Sequence, residues 1–427
     1  MNEATQDFIR EHRNDDVRQL ALQAKQEEVD LVFALDQIAG WQTARRKLPS
    51  WAAIDDIHYP PHISMEQCSS EQTARYKARL VQSLILHQEP VSLHPTTFVD
   101  LTGGLGVDFS FLARGFERAV YVEQRAHLCE LARHNLPLLG LKAEVVEGDG
   151  TDFLHTIEHA TLLFLDPARR DSHGGRTYGI SDCTPDVLSL RDELLQKADY
   201  VLLKLSPMLD WRKAVGDLGE QWVSQVHIVS AGGECKELLV VMQRERGAEP
   251  MKVVCANDDS VWIPQHFDVG HSAFWPKTDG VLPQNGMRFG PKREAICPKT
   301  QEEGIRMYLY EPNASVMKAG CFEALCEDFG VSQVAANSHL FVADRFMEAF
   351  PGRKFLIVAV SSLNKRELKP LLQDLTQANI TVRNFPLSVA ELRKRLKLKE
   401  GGSTYLFATT LASGDKVLIF TRRPCTP

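Results

Sequence analysis

Acidic residues close four short apolar runs in the first half of the chain. These residues are Asp100, Glu123, Asp149 and Asp166. Each run has the length and composition of a β-strand, so each acid is predicted to lie at a strand end. Carboxylates accept hydrogen bonds from sugar hydroxyls and from amines. The four strand ends therefore predict a nucleotide-binding α/β sheet.

A glycine-rich turn follows the first of these runs and leads into a helical segment. Its candidate ligand-binding residues are Thr102, Gly103, Gly104, Gly106 and, at the start of the helix, Asp108. A nucleotide-like ligand must lie close to the backbone here, where a Cβ atom would collide with it. Glu123, at the tip of the next strand, can accept both ribose hydroxyl hydrogens. These features fit NAD and S-adenosylmethionine equally well.

Asp100 discriminates between these two cofactors. It precedes the glycines, where its carboxylate would face a cationic or amine-bearing ligand and would repel a pyrophosphate. The spacing from Asp100 to Gly106 resembles the first motif of the class I S-adenosylmethionine-dependent methyltransferases, with Thr102 in place of the usual first glycine. The resemblance implies S-adenosylmethionine as the cofactor. It also implies that Asp149 contacts the adenine amine.

The candidate catalytic segment is Asp166-Pro167-Ala168-Arg169, at the position of that family's fourth motif. In amino-group methyltransferases this motif is Asp, Asn or Ser, then two prolines and an aromatic residue. A carboxylate and a neighbouring backbone carbonyl can accept the two hydrogens of an amine and orient its lone pair toward the sulfonium methyl group. The resemblance therefore implies methylation of nitrogen, with Asp166 orienting the amine.

This segment departs from the family motif at two positions. Ala168 replaces the second proline, and Arg169 replaces the aromatic residue on which a base would stack. Tyr178, in the following glycine-rich loop, could supply that ring. Arg169 and Arg170 suit recognition of a phosphate or carboxylate, unless they form a solvated loop paired with local acids.

The loop after the fifth predicted strand indicates whether carbon or nitrogen would accept the methyl group. Arg169 invites comparison with RNA 5-methyluridine methyltransferases, whose corresponding loop ends Pro-Pro-Arg and which need a cysteine thiolate that adds to the ring. The strand predicted over residues 200–204 continues into Leu205-Ser206-Pro207 without a cysteine, which favours nitrogen as the acceptor. Lys204 either lines the mouth of the site as a substrate contact or simply ends the strand.

The elements that must position these residues alternate in type. Between Thr97 and Met242, strand-like runs alternate with helical ones, which predicts a mostly parallel, Rossmann-like α/β sheet covered by helices. Residues 6–39 have helical spacing, and Ser70 is predicted to cap a helix that runs to Leu86. We expect an N-terminal helical domain over residues 1–93 and a cofactor-binding domain over 94–247.

The second half of the chain differs from the first in its composition and periodicity. Residues 252–301 are rich in Pro, Gly and isolated aromatics, which predicts short strands and loops. Strands near 354–360 and 380–383, helices over 364–377 and 389–399, and a hairpin over 404–420 predict an α+β module. The stretch Tyr310–Gly320 resembles the ferredoxin-like insert of a bacterial methyltransferase family, and the C-terminal segment resembles its THUMP-like domain. We expect boundaries of 248–345 and 346–427.

Five cations lie close together near the C-terminus. They are Arg393, Lys394, Arg395, Lys397 and Lys399. Such a group predicts a face that contacts phosphates, with the intervening leucines packed inward. THUMP domains accompany RNA-modifying enzymes, so the resemblance implies an RNA substrate, either tRNA or rRNA. The alternatives are an RNA-binding protein with an inactive methyltransferase core and a methyltransferase of a small-molecule or protein acceptor.

Composition limits the remaining classes. The chain has 427 residues and a net charge of −7, which excludes a globally basic nucleic-acid binder but permits a local basic patch. Its nine cysteines are scattered without metal-ligand spacing, so we expect reduced thiols and no metal. The polar, acidic N-terminus and the lack of an apolar run of membrane-spanning length predict a cytoplasmic protein without membrane segments.

Overall fold

The structure is a computed structural model that describes residues 2–23, 28–86, 95–169, 179–244, 249–265 and 306–424. The chain forms two compact units. The first comprises Met1–Ala231 and Lys236–Lys252, and the second comprises Gly232–Cys235 and Val253–Pro427. No helix in the described part of the chain is long and apolar enough to cross a membrane.

Six described helices precede the first strand. They are α1 (Glu3–His12), α2 (Val17–Gln23), α3 (Leu31–Lys47), α4 (Pro49–Ala52), α5 (His62–Gln67) and α6 (Glu71–Leu86). The Ser70 side chain accepts a hydrogen bond from the Thr73 amide, which confirms the predicted cap of α6. Trp51 and Ala74 share a buried apolar cluster with Val107 of the following α/β segment. The N-terminal helices therefore pack directly against the elements that carry the candidate site.

Seven described strands of the first unit lie side by side in one sheet. They are β1 (Thr97–Asp100), β2 (Arg118–Glu123), β3 (Glu144–Glu147), β4 (Ala160–Leu165), β7 (Ala198–Leu205), β8 (Val223–Ala231) and β9 (Glu234–Met242). Two-residue strands, β5 (Ala168–Arg169) and β6 (Cys183–Thr184), pair separately with each other. The intervening helices are α7 (Val107–Leu112), α8 (Ala126–Leu138), α9 (Gly150–Thr156), α10 (Val187–Lys197) and α11 (Trp211–Leu218).

These seven strands have the order β8-β9-β7-β4-β1-β2-β3. The pairs from β7 to β3 are parallel, whereas β9 runs antiparallel to β7. This confirms the predicted mostly parallel α/β class. The chain moves from β1 toward β3 on one side and from β4 toward β7 on the other, so a crevice opens between β1 and β4 at their carboxyl ends. Asp100 pairs with Phe164, which places the glycine turn beside the Asp166 segment.

The second unit contains a hairpin and a larger sheet. The hairpin joins β10 (Lys252–Asn257) and β11 (Ser260–Trp262). The sheet has the order β13-β14-β12-β15-β18-β17-β16. Its strands are β12 (Tyr308–Pro312), β13 (Ser332–Gln333), β14 (Phe341–Ala343), β15 (Gly352–Ser361), β16 (Asn379–Arg383), β17 (Thr404–Thr410) and β18 (Lys416–Arg422). Its helices are α12 (Ala314–Ala319), α13 (Phe322–Phe329), α14 (Lys365–Leu372) and α15 (Val389–Leu396).

The C-terminal part of this sheet has the order of elements that the sequence predicts. Strand β15, helix α14, strand β16 and helix α15 lead into the antiparallel pair β17 and β18. Leu368 of α14 and Leu392 of α15 share one buried cluster with Leu406 and Phe420 of the sheet. Both helices therefore cover the same face, and the charged side chains of α15 point away from it.

Candidate active site

The glycine turn after β1 combines left-handed backbone with close packing. Gly104 and Gly106 have φ values of +57° and +81°, in the region that favours glycine. An added Cβ at Gly103 would lie 2.3 Å from the Tyr121 ring, so this glycine is required for packing. At Gly104 an added Cβ would have only the Thr102 carbonyl oxygen within 4 Å, at 3.6 Å. The space above Gly104 is therefore open, and we call this space the cradle.

Asp100 is buried at the end of β1, with 1% of its surface exposed. One carboxylate oxygen accepts a hydrogen bond from the Thr102 amide at 2.9 Å. Burial raises the pKa of Asp100 well above its ordinary value, and the carboxylates of Asp108 and Asp166 raise it further. The Thr102 amide and the Lys204 ammonium oppose that rise. A cation in the cradle would favour the ionised form of Asp100.

Glu123 ends β2, and its two carboxylate oxygens are engaged. One accepts from the Gly104 amide at 2.8 Å, and the other accepts from the amide and the Nε of Arg125 at 3.0 and 2.8 Å. Burial opposes ionisation of Glu123, but the hydrogen bonds from Arg125 and Gly104 lower the pKa of this carboxyl below its ordinary value. The Arg125 side chain is 57% exposed, whereas that of Glu123 is 8% exposed.

Asp149 ends the third strand–loop segment and caps α9. One carboxylate oxygen accepts from the amides of Thr151 and Asp152, and the other accepts from the Gln124 side chain. At Gly150 an added Cβ would lie 2.0 Å from the Leu101 carbonyl oxygen, so α9 begins in contact with the loop after β1. This close approach brings Asp149 to the crevice edge shared by the first three strands.

Asp166 follows β4 with its side chain 43% exposed. Its backbone amide donates to the Thr102 hydroxyl at 2.7 Å. One carboxylate oxygen accepts from the Lys204 ammonium at 2.6 Å. Thr102, which stands where the family motif has its first glycine, thus ties the loop after β1 to the loop after β4. A glycine at this position could not make that bond.

A chain of alternating charges leads from Asp166 into the protein interior. Lys204 lies 3.3 Å from Asp108, Asp108 lies 3.1 Å from Lys77, and Lys77 lies 2.6 Å from Glu237. We call these five residues (Asp166, Lys204, Asp108, Lys77 and Glu237) the ionic chain. Lys77 of α6 is fully buried, and Glu237 is 3% exposed. Glu237 could not be predicted as part of this site, because its partner on α6 lies 160 positions away in the chain.

The ionic chain fixes the protonation of its central members. Burial would raise the pKa of Asp108, but Lys77 and Lys204 outweigh it and lower this pKa to about 2. Burial would lower the pKa of Lys204, but Asp108 and Asp166 raise it well above its ordinary value. The chain holds three carboxylates and two ammonium groups, and Asp100 adds a further carboxyl beside it. The acidic character of this site fits a sulfonium-bearing cofactor.

The remaining predicted site residues fall into three groups. Pro167 is buried and Ala168 is exposed beside Asp166, while the backbone of Arg169 pairs with Cys183. Arg170 and Tyr178 lie outside the described residues. The three α15 cations, Arg393, Lys394 and Arg395, belong to the second unit. In the described part of the chain, no group of His, Cys, Asp and Glu is arranged to hold a metal ion.

Comparison with known proteins identifies the class. A ferredoxin-like domain model matches residues 308–351, and a THUMP domain-like model matches residues 352–423. A crystal structure from Porphyromonas gingivalis, provisionally described as a methyltransferase, is similar with a TM-score of 0.79 and 31% identity. The match covers 99% of this chain and 98% of that chain. Fold and similarity together define a class I S-adenosylmethionine-dependent methyltransferase.

Relatives in a second organism agree with this class. Two strains of Mycobacterium tuberculosis each have a protein described as an uncharacterized S-adenosylmethionine-dependent methyltransferase, 22% identical to this chain. The match covers 82% of this chain and 84% of the relative. The chain belongs to the methyltransferase family of the Porphyromonas gingivalis protein, and in this chain the ferredoxin-like and THUMP-like matches follow the α/β core. The protein is an enzyme, and S-adenosylmethionine is its cofactor.

Proposed function

We propose that this enzyme methylates an exocyclic nitrogen of a nucleobase in RNA, and that Asp166 orients the amine. The observation that carries the proposal is the position of Asp166 at the carboxyl end of β4, next to the switch point of the sheet. Its backbone is fixed by Thr102 and its carboxylate is exposed. A fixed, exposed acceptor of this kind can bind the hydrogens of an amine and aim its lone pair.

For the cofactor, the proposed binding residues are those predicted from the sequence. The Gly104 cradle and the acidic surroundings of Asp100 fit a cationic adenosine derivative. Glu123 would accept the ribose hydroxyls once the Arg125 guanidinium moves, and Asp149 would lie near the adenine. When bound, S-adenosylmethionine supplies an electrophilic methyl group on its sulfonium.

Catalysis in this proposal requires only positioning and exclusion of water. Asp166 and a neighbouring backbone carbonyl accept the two amine hydrogens, so that the nitrogen lone pair faces the methyl group. Arg169 stands in place of an aromatic residue, so the base must find its apolar contact elsewhere. A target base within an RNA helix must be swung out of the stack to reach Asp166.

An RNA acceptor is supported by the second unit. The THUMP-like match covers residues 352–423, which include all of α15. Lys394 and Arg395 are exposed on this helix, whereas Arg393 lies 3.2 Å from Glu400. Leu392 and Leu396 are buried beneath them. The helix therefore presents cations to solvent in the way that contact with phosphates requires.

Nucleoside mass spectrometry of RNA from cells with and without this protein tests the proposal. We expect one N-methylated nucleoside to disappear, and purified enzyme to restore it to that RNA with labelled S-adenosylmethionine. Asp166→Ala should lower the transfer rate by about 100-fold or more, as for loss of a positioned acid–base group. Asp192→Ala, at an exposed acid of α10, serves as the matched control.

Three outcomes would contradict the proposal. Label that enters protein or small molecules, and never RNA, would exclude the acceptor class. Loss of S-adenosylhomocysteine binding in Asp166→Ala, measured by calorimetry, would contradict the role given to Asp166. RNA binding without any methyl transfer would favour the alternative of an RNA-binding protein with an inactive methyltransferase core.

A further inference from the structure

Lys204 occupies an unusual position between an exposed carboxylate and a buried one. Its ammonium lies 2.6 Å from an oxygen of Asp166 and 3.3 Å from an oxygen of Asp108. Its side chain is 14% exposed, against 43% for Asp166 and 10% for Asp108. The ammonium therefore lies at the boundary between the protein interior and the crevice.

On the interior side of Lys204, the Asp108 carboxylate belongs to a network of buried polar side chains. Asp108 accepts from the Ser69 hydroxyl at 2.7 Å and pairs with Lys77 at 3.1 Å. Lys77 binds both oxygens of Glu237, at 2.6 and 2.8 Å. These groups come from α6, the segment before it, and β9. Ser69 and Lys77 therefore hold Asp108 directly, and Glu237 holds Lys77, so the carboxylate that anchors Lys204 is itself restrained.

We propose that Lys204 is a positioning residue for Asp166, and that Asp108, Lys77 and Glu237 hold its ammonium in place. The proposal rests on the proposed role of Asp166. A lysine stem is flexible, and an ammonium at a crevice mouth would sample many rotamers if nothing held it. Anchored by Asp108, it binds one oxygen of Asp166 and fixes the carboxylate plane. The other oxygen is then aimed at the acceptor amine.

A substrate-contacting lysine and a merely stabilising ion pair predict different behaviour. A lysine that contacts RNA would change the KM for RNA rather than kcat. A stabilising pair would change the free energy of unfolding and leave the geometry of Asp166 unaffected. A positioning residue acts through Asp166, so its effect on kcat must vanish once Asp166 can no longer form the ion pair.

A double-mutant cycle on methyl transfer makes this distinction. The variants are Lys204→Met, Asp166→Asn and the pair, and Asp166→Asn keeps an amide oxygen that can accept the amine. We expect Lys204→Met to lower kcat by about tenfold with an unchanged KM for RNA, and to lower it less than about twofold when Asp166 is already Asn. Equal losses in both backgrounds, or a change confined to KM, would overturn the proposal.

A second readout needs no acceptor, so it stands apart from the proposed RNA substrate. Carbodiimide and glycine ethyl ester label accessible carboxylates, and the label on Asp166 is measured by peptide mass spectrometry. We expect faster labelling of Asp166 in Lys204→Met and in Asp108→Asn, which breaks the anchor without removing the lysine. The control Lys213→Met should speed labelling of Asp217, its partner at 2.9 Å on α11, and leave Asp166 unchanged.

Each result of this labelling experiment decides one question. Unchanged labelling of Asp166 in both Lys204→Met and Asp108→Asn would overturn the positioning role. Faster labelling in both variants supports it, even where the wild-type enzyme methylates no RNA. Failure of RNA methylation thus tests the proposed function, while labelling tests Lys204.

Discussion

At the scale of single residues, Thr102 makes more contacts within the site than its position in a glycine motif suggests. Its hydroxyl accepts a hydrogen bond from the Asp166 amide at 2.7 Å and lies 3.4 Å from a carboxylate oxygen of Asp100. One side chain therefore connects the predicted cofactor strand to the predicted catalytic loop. The departure from the family motif is compensated by a hydrogen bond that a glycine at this position could not make.

Replacing this hydroxyl tests that connection. Thr102→Val keeps the shape of the side chain but leaves the Asp166 amide without its acceptor, so the loop after β4 loses a fixed position. We expect kcat to fall by about tenfold. Thr102→Ser retains the hydroxyl and should keep most of the activity. Equal losses in the two variants would show that the hydrogen bond is unimportant.

Asp100 predicts a pH dependence of cofactor binding. Burial raises its pKa, so the free enzyme keeps this carboxyl protonated to a higher pH than usual. A cationic ligand binds the ionised form, so binding below that raised pKa must release a proton. We expect the affinity for S-adenosylmethionine to rise with pH, by up to about tenfold per unit, and to level off above it. Calorimetry across pH measures this, and Asp100→Asn should remove the slope.

At the scale of elements, periodicity predicted the order of strands and helices but not every neighbour. The runs ending at Asp100, Glu123 and Leu165 formed the expected parallel strands. The insertion of β9 between β7 and β8, antiparallel to β7, could not be predicted. A short apolar run has the same composition whichever way it runs, so its direction depends on pairing rather than on its own residues.

The ionic chain could not be predicted for a related reason. Lys77 lies in the helix predicted to run from the Ser70 cap to Leu86, yet helical spacing gives no reason to expect its side chain to be fully buried. Its charge is compensated by Glu237, which belongs to a strand far away in sequence. The glycine turn and the strand-end acids are local patterns, whereas a buried ion pair exists only once the fold brings its partners together.

This pair makes a prediction for the packing of α6. Lys77→Met leaves Glu237 buried without its ammonium, and it should lower the free energy of unfolding by about 3–5 kcal/mol. Lys77→Met combined with Glu237→Leu removes both charges of this pair and should recover part of that loss, because Asp108 loses Lys77 but keeps Lys204 as a partner. Urea unfolding followed by tryptophan fluorescence measures both, with Lys213→Met as a surface control. A double variant as unstable as the single one would contradict the compensation.

At the scale of the whole molecule, charge and function are distributed unevenly between the two units. The chain carries a net charge of −7, and the candidate active site in the first unit is itself acidic. An acidic site suits a cationic cofactor but repels a polyanion. Exposed cations on α15 of the second unit provide the opposite surface. We therefore infer that affinity for RNA depends on the second unit, and chemistry on the first.

The salt dependence of RNA binding tests this division. Each phosphate contact releases bound counterions, and the slope of log K against log salt is about −0.7 per contact on single strands. Lys394→Ala with Arg395→Ala should make the slope shallower by about 1.4, with a similar loss on a tRNA transcript and on poly(U). The matched control Arg10→Ala with Lys142→Ala removes two exposed cations of the first unit and should leave the slope unchanged. Because both double variants change net charge by the same amount, equal effects would mean that overall charge, rather than the α15 surface, governs binding.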